Sequence, residues 1–187
     1  MKKTIIATIA ASLMLISTPS YAGKLANLTK DLQFGAGIGF LDLGLTDSAL
    51  LFYGIAEKEV DVKLGETTNT VQVRLGTSTT ATSNSPFSTL TYETSLNYLI
   101  SGLFKSTLDL EDGISAYGML GFSFASIDFV VPSIILGSNF STTVTDSGVS
   151  YGFGADYKVD NDLTIAAEYT SYLSNADAFA VNAYFSF

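Results

Sequence analysis

The chain has 187 residues, 9 basic and 18 acidic, with no histidine and no cysteine; a length of this order fits one domain. The missing residue types exclude imidazole-dependent catalysis, cysteine nucleophiles and Cys/His metal centres. A net charge of −9 without a basic patch excludes recognition of nucleic acid by simple charge.

Lys2 and Lys3 open the chain, residues 4–16 form an apolar run, and residues 17–22 end in small side chains. This is the pattern of a secretory signal peptide, with Ser20-x-Ala22 as the cleavage signal and Gly23 as the first mature residue. The run is short for a helical span, which argues against an uncleaved anchor. Losing Lys2 and Lys3 leaves 7 basic against 18 acidic residues, a net charge of −11. Residues 1–22 are therefore expected to be a cleaved signal, 23–31 a short periplasmic leader and 32–187 the folded domain. The chain is 47% hydrophobic with a mean hydropathy of +0.34. After residue 22, however, no stretch approaches 18 apolar residues, so helical spans are excluded while short membrane strands are not.

Eight segments then alternate with period two, the signature of strands with unlike faces. Residues 32–42 set Phe34, Ala36, Ile38 and Phe40 against Gln33, Gly35, Gly37 and Gly39. Residues 49–58 are expected to set Leu51, Tyr53 and Ile55 on the bulky face against Gly54 and Ala56, with Leu50 and Phe52 blurring the pattern. Residues 70–77 set Val71, Val73 and Leu75 against Gln72, Arg74 and Gly76. Residues 96–108 set Tyr98, Ile100 and Phe104 against Asn97, Ser101, Lys105 and Thr107. Residues 114–125 set Ile114, Ala116, Leu120, Phe122 and Phe124 against Ser115, Tyr117, Gly121 and Ser123. Residues 149–158 alternate most strictly, with Tyr151, Phe153, Ala155 and Tyr157 against Ser150, Gly152, Gly154 and Asp156. Residues 163–170 set Ile165, Ala167 and Tyr169 against Thr164, Ala166 and Glu168. Residues 177–187 set Phe179, Val181, Ala183, Phe185 and Phe187 against Ala178, Ala180, Asn182, Tyr184 and Ser186.

An even count of eight, with small residues on the less bulky faces, points to an all-β, eight-stranded antiparallel up-and-down transmembrane β-barrel with a filled interior. A surface facing water would favour Lys and Glu instead. The bulky faces then meet lipid, with Tyr98, Tyr151, Tyr157 and Tyr169 in the interfacial belts. With both termini in the periplasm, residues 44–48, 78–95, 126–148 and 174–176 are expected as external loops. Residues 59–69, 109–113 and 160–162 are expected as inward turns. The run Gly35-Ala-Gly-Ile-Gly39 resembles a phosphate loop only superficially: its glycines share one strand face and no lysine or helix follows.

The segments Val149-Ser-Tyr-Gly-Phe-Gly-Ala-Asp-Tyr-Lys158 and Asn161-Asp-Leu-Thr-Ile-Ala-Ala-Glu-Tyr169 resemble the penultimate hairpin of the small eight-stranded outer-membrane barrels, OmpA-like and opacity-protein-like. Ala116-Tyr-Gly-Met-Leu-Gly-Phe122 resembles their fifth strand. Phe187, with Phe185 two places before it, resembles the signal read by the barrel-assembly machinery; the family usually has Gly where this chain has Asn182. The resemblance covers about residues 32–187. It implies a cell outer-membrane location, reached through the periplasm, with lipid and lipopolysaccharide as surroundings. It is weak for function, because the family hosts diverse roles.

Arg74, Lys105, Asp156 and Glu168 fall on the polar faces of four strands and are expected to form a charge network in the lumen, since unpaired buried charge is costly. Asp109, Glu111 and Asp112 are expected as a solvated turn. Val130, Val131, Ile134, Ile135 and Leu136 lie in the longest expected external loop and form a candidate contact surface for a partner. Enzymes among small barrels of this membrane rely on histidine, as the family implies. The expectation is thus a non-enzymatic, monomeric barrel without cofactors, structural or engaged in surface interaction. The alternatives are a narrow ion or small-solute channel through the lumen, and a soluble lipocalin-like barrel with its apolar face inward.

Overall fold

The computed structural model describes residues 32–44, 47–84, 91–132 and 139–186. The expected signal and leader lie outside the described residues, as do Ile134, Ile135, Leu136 and Phe187. Alternating side chains, rich in aromatic and β-branched residues, produce strands: β1 (Leu32–Asp42), β2 (Ala49–Glu59), β3 (Thr68–Ser78), β4 (Thr80–Asn84), β5 (Thr91–Asp109), β6 (Ile114–Pro132), β7 (Asn139–Lys158), β8 (Leu163–Leu173) and β9 (Ala176–Phe185). They lie in the order β3-β2-β1-β9-β8-β7-β6-β5-β4, and β3 also pairs with β5, which closes the sheet. Thr80↔Ser95 continues the register of Gly76↔Leu99, so β4 prolongs β3 rather than adding a stave. The result is an eight-staved antiparallel barrel whose backbone groups pair around the ring, as a lipid setting requires.

Two turns show why the chain reverses where it does. Asp112 and Gly113 both adopt positive φ, 58° and 77°, between β5 and β6, a conformation that Gly and Asp tolerate best. Between β7 and β8, Asp160 Oδ1 accepts the backbone N–H groups of Asp162 and Leu163, each at 2.8 Å, an Asx-type turn.

The wall is uneven in height. Strands β5, β6 and β7 have 19, 19 and 20 residues, whereas β1, β2, β8 and β9 have 10 or 11. Pairing of β6 with β7 continues to Pro132↔Asn139, while β7 and β8 pair only from Tyr151↔Ser171 downward. The expected loop at residues 126–148 is therefore mostly a β-hairpin. Val130 and Val131 are strand residues opposite Ser141 and Phe140, not loop residues. The reason is local: Ile127, Phe129, Val131 and Val144 keep the strand-favouring alternation going past the barrel rim. Pro132 ends β6, where its missing N–H is tolerated.

Ile38, Phe40, Val73, Leu120, Phe153, Phe179 and Val181 point outward and are exposed, forming an apolar belt. Phe153, Tyr169 and Phe179 make an aromatic row across β7, β8 and β9, with centroids 5.5 and 6.5 Å apart. Two expected orientations are corrected. In β2 the bulky set Leu51, Tyr53 and Ile55 points inward with Glu57, and Leu50 and Phe52 point out. Facing Leu51 to lipid would have taken Glu57 there too, because residues two apart share a face. Asn97 is exposed rather than luminal, because a bulge between Leu96 and Tyr98 adds a residue and moves it off the inner face.

Candidate functional site

Inward-facing residues divide the lumen. Near the rim, Leu41, Leu51, Leu96 and Leu99 are buried and form an apolar ceiling. Below it the contents are polar. The alternation of β3 places Gln72 and Arg74 on the inner face, β8 supplies Glu168 and Thr170, and β9 supplies Asn182 and Tyr184. Tyr53 and Glu57 enter from β2, Tyr117 and Met119 from β6, Lys105 from β5 and Asp156 from β7.

Arg74, at 0% exposure, is the centre. Its guanidinium forms a two-pronged pair with Glu168: Nη1 with Oε1, and Nη2 to Oε2 at 3.0 Å. Nε and Nη2 both donate to Gln72 Oε1, at 3.0 and 2.8 Å, and Nη1 donates to the Tyr172 hydroxyl at 3.1 Å. Such a fork matches the fixed geometry of arginine. Glu168 also accepts from the Tyr117 hydroxyl at 3.0 Å and from Thr170 at 3.1 Å. In the closed ring β3 and β8 are four staves apart, so this pair runs across the full diameter.

The Tyr53 hydroxyl lies 3.1 Å from Glu168 Oε1 and 2.6 Å from Asn182 Oδ1. It has one proton for two acceptors, and Asn182 Nδ2 is buried without a partner.

A second cluster lies near the strand ends that carry the termini. Lys105 Nζ is 3.6 Å from Glu57 Oε1 and 3.5 Å from Asp156 Oδ2. It also sits 4.4 Å from the Tyr117 ring centroid and 4.9 Å from that of Tyr184, a cation–π arrangement. Gln72 links the clusters: Nε2 donates to Glu57 Oε2 and to the Tyr184 hydroxyl, while Oε1 accepts from Arg74.

The four expected lumen charges are thus brought into two pairs, Arg74 with Glu168 and Lys105 with Asp156. Glu57 is the member that sequence reasoning missed, together with the hydroxyls of Tyr53 and Tyr172. Its signal was legible, since an acid two places after Ile55 shares that residue's face. Phe185 points outward opposite Phe34 and Leu163. The arrangement neutralises and fills. Glu168 is held by an arginine and by hydroxyl donors, which leaves it no free geometry for acid–base work on a substrate.

The model of the "Outer membrane protein beta-barrel domain" matches residues 8–187. No curated protein matches the chain. Among solved structures, the N-terminal β-barrel domain of Pseudomonas aeruginosa OprF is 12% identical with a TM-score of 0.51, over 84% of this chain and 98% of that one. Ail, the attachment invasion locus protein of Yersinia pestis, is 15% identical with a TM-score of 0.47, over 82% and 93%. The outer membrane enzyme PagL is 12% identical with a TM-score of 0.46, over 83% and 99%. At these identities the likeness concerns the fold alone.

Proposed function

The chain belongs to the outer membrane protein β-barrel family and resides in the cell outer membrane, and from that premise we propose that it is a non-enzymatic, monomeric barrel with a closed lumen, serving envelope structure or surface interaction. The observation that carries this reading is the Arg74–Glu168 pair spanning the lumen beneath an apolar ceiling. Eight staves leave an interior only wide enough for side chains, and here those side chains bond to one another. The absence of histidine and cysteine from the sequence supports the non-enzymatic part.

Planar-bilayer recording of the refolded protein tests the closed lumen. The expected result is a quiet membrane. Discrete, reproducible openings would sink this reading and move the function to a narrow ion or small-solute channel.

The surface role rests on the β6–β7 hairpin, which rises past its neighbours. In this reading the hairpin end faces outward among lipopolysaccharide, the cleaved signal delivers the chain to the periplasm, and Phe185 with Phe187 addresses it to the barrel-assembly machinery. Protease added to intact cells should cut within residues 126–148. Protection there, with cleavage restored only after lysis, would reverse the orientation.

A further inference from the structure

The rim carries a recess that the lumen network does not use. A cavity of about 300 Å³ lies between the tall β6–β7 hairpin, the end of β1 and the β8–β9 turn. Its apolar walls include Leu43 after β1, Ile127 and Val144 on the hairpin, and Leu173 on β8. Asp146 and Asn175 are polar groups in the same lining. The recess exists because β7 stands above its last pairing with β8, at Tyr151↔Ser171, while the short strands turn back. Its volume is within the range of small-molecule sites.

Asp146 decides the ligand chemistry. One carboxylate oxygen, Oδ1, accepts the N–H of Ser147 at 2.7 Å. Among the described residues no cation reaches this carboxylate. Asp146 is solvent-exposed, so its attraction for a cation is that of a screened surface charge; beside apolar walls, on a chain of net charge −9, it still favours a cation over an anion. An anion would be repelled, and a purely polar cation would leave the apolar walls unmatched. We propose that the rim recess binds a small amphipathic organic cation, with its ammonium on Asp146 and its apolar body against Leu43, Ile127, Val144 and Leu173. The Asn175 amide offers a second polar contact. The site does not depend on whether the lumen conducts.

The test uses the full barrel folded in phosphatidylcholine vesicles and 4-phenylbutylammonium as probe, titrated calorimetrically against protein-free vesicles. Saturable one-site binding is expected. Asp146→Asn should weaken it by about tenfold, the scale of one charge-assisted contact. The neutral 4-phenylbutanol should bind weakly and equally to both proteins. Val144→Trp, at a position already half exposed, should fill the recess and remove binding, with circular dichroism verifying the fold. Equal affinity for wild type and Asp146→Asn, or no saturation beyond the vesicle control, would overturn the proposal. Equal affinity for the alcohol and the ammonium would overturn it as well.

Discussion

Replacing Glu168 with leucine leaves the Arg74 guanidinium buried without its counter-charge. Arg74 is 0% exposed and Glu168 2%, so water cannot take over the lost contacts. Removing one partner of a buried pair costs about 3–5 kcal/mol. The hydroxyls of Tyr117 and Thr170 lose an acceptor as well, each worth about 1 kcal/mol. Glu168→Leu should therefore destabilise by at least about 4 kcal/mol, and Arg74→Leu by a similar amount. The double variant carries no stranded charge and should lose less than either single one. The chain lacks tryptophan, so equilibrium urea unfolding in vesicles is best followed by tyrosine fluorescence or circular dichroism. Additive losses in the double variant would refute the reasoning. So would a loss below about 1 kcal/mol for Glu168→Leu, the level of a solvated surface pair.

Gly37 and Gly118 offer a matched contrast. A Cβ on Gly37 would run into Asn182 Oδ1 and the Tyr53 ring, whereas one on Gly118 meets nothing within 4 Å. Gly37→Ala should cost about 1–3 kcal/mol and Gly118→Ala stay within about 0.5 kcal/mol of wild type, read from the same unfolding curves; equal effects would contradict the packing. Lys105→Met leaves Glu57 and Asp156 with no shared cation and should destabilise by about 3 kcal/mol, with Lys105→Arg restoring most of it. If the arginine variant is no more stable than the methionine one, charge is not what Lys105 contributes.

Six of the eight staves and the polarity of their faces were legible as period-two patterns, because there one face is bulky and the other small or polar. β2 was not, since Leu50, Leu51, Phe52 and Tyr53 are bulky on both faces. There size says nothing about direction, and the charge of Glu57 decides it. The start of β5 was misread for another reason: a bulge is a property of the pairing between strands, and no single strand's alternation reveals that Asn97 is the extra residue. Residues 126–148 looked like a loop because strand propensity alone does not say how far a barrel rises above lipid. Of the candidate site, the four charges were identifiable, since Arg74, Lys105, Asp156 and Glu168 stand out as charges on largely uncharged strand faces. Which cation meets which anion depends on ring closure and stagger, which the sequence does not display.

The Arg74–Glu168 pair joins staves on opposite sides of the ring, 94 positions apart in the chain. Seen mechanically, it is a tie rod across a thin-walled tube. Backbone hydrogen bonds resist slippage between adjacent staves, but they oppose flattening of the cross-section only weakly. A diametric tie opposes it directly, because ovalising the tube must either stretch the pair or crush the tyrosines beside it. The tie closes the largest separation across the cross-section, so it is the contact that sets how round the bore can stay.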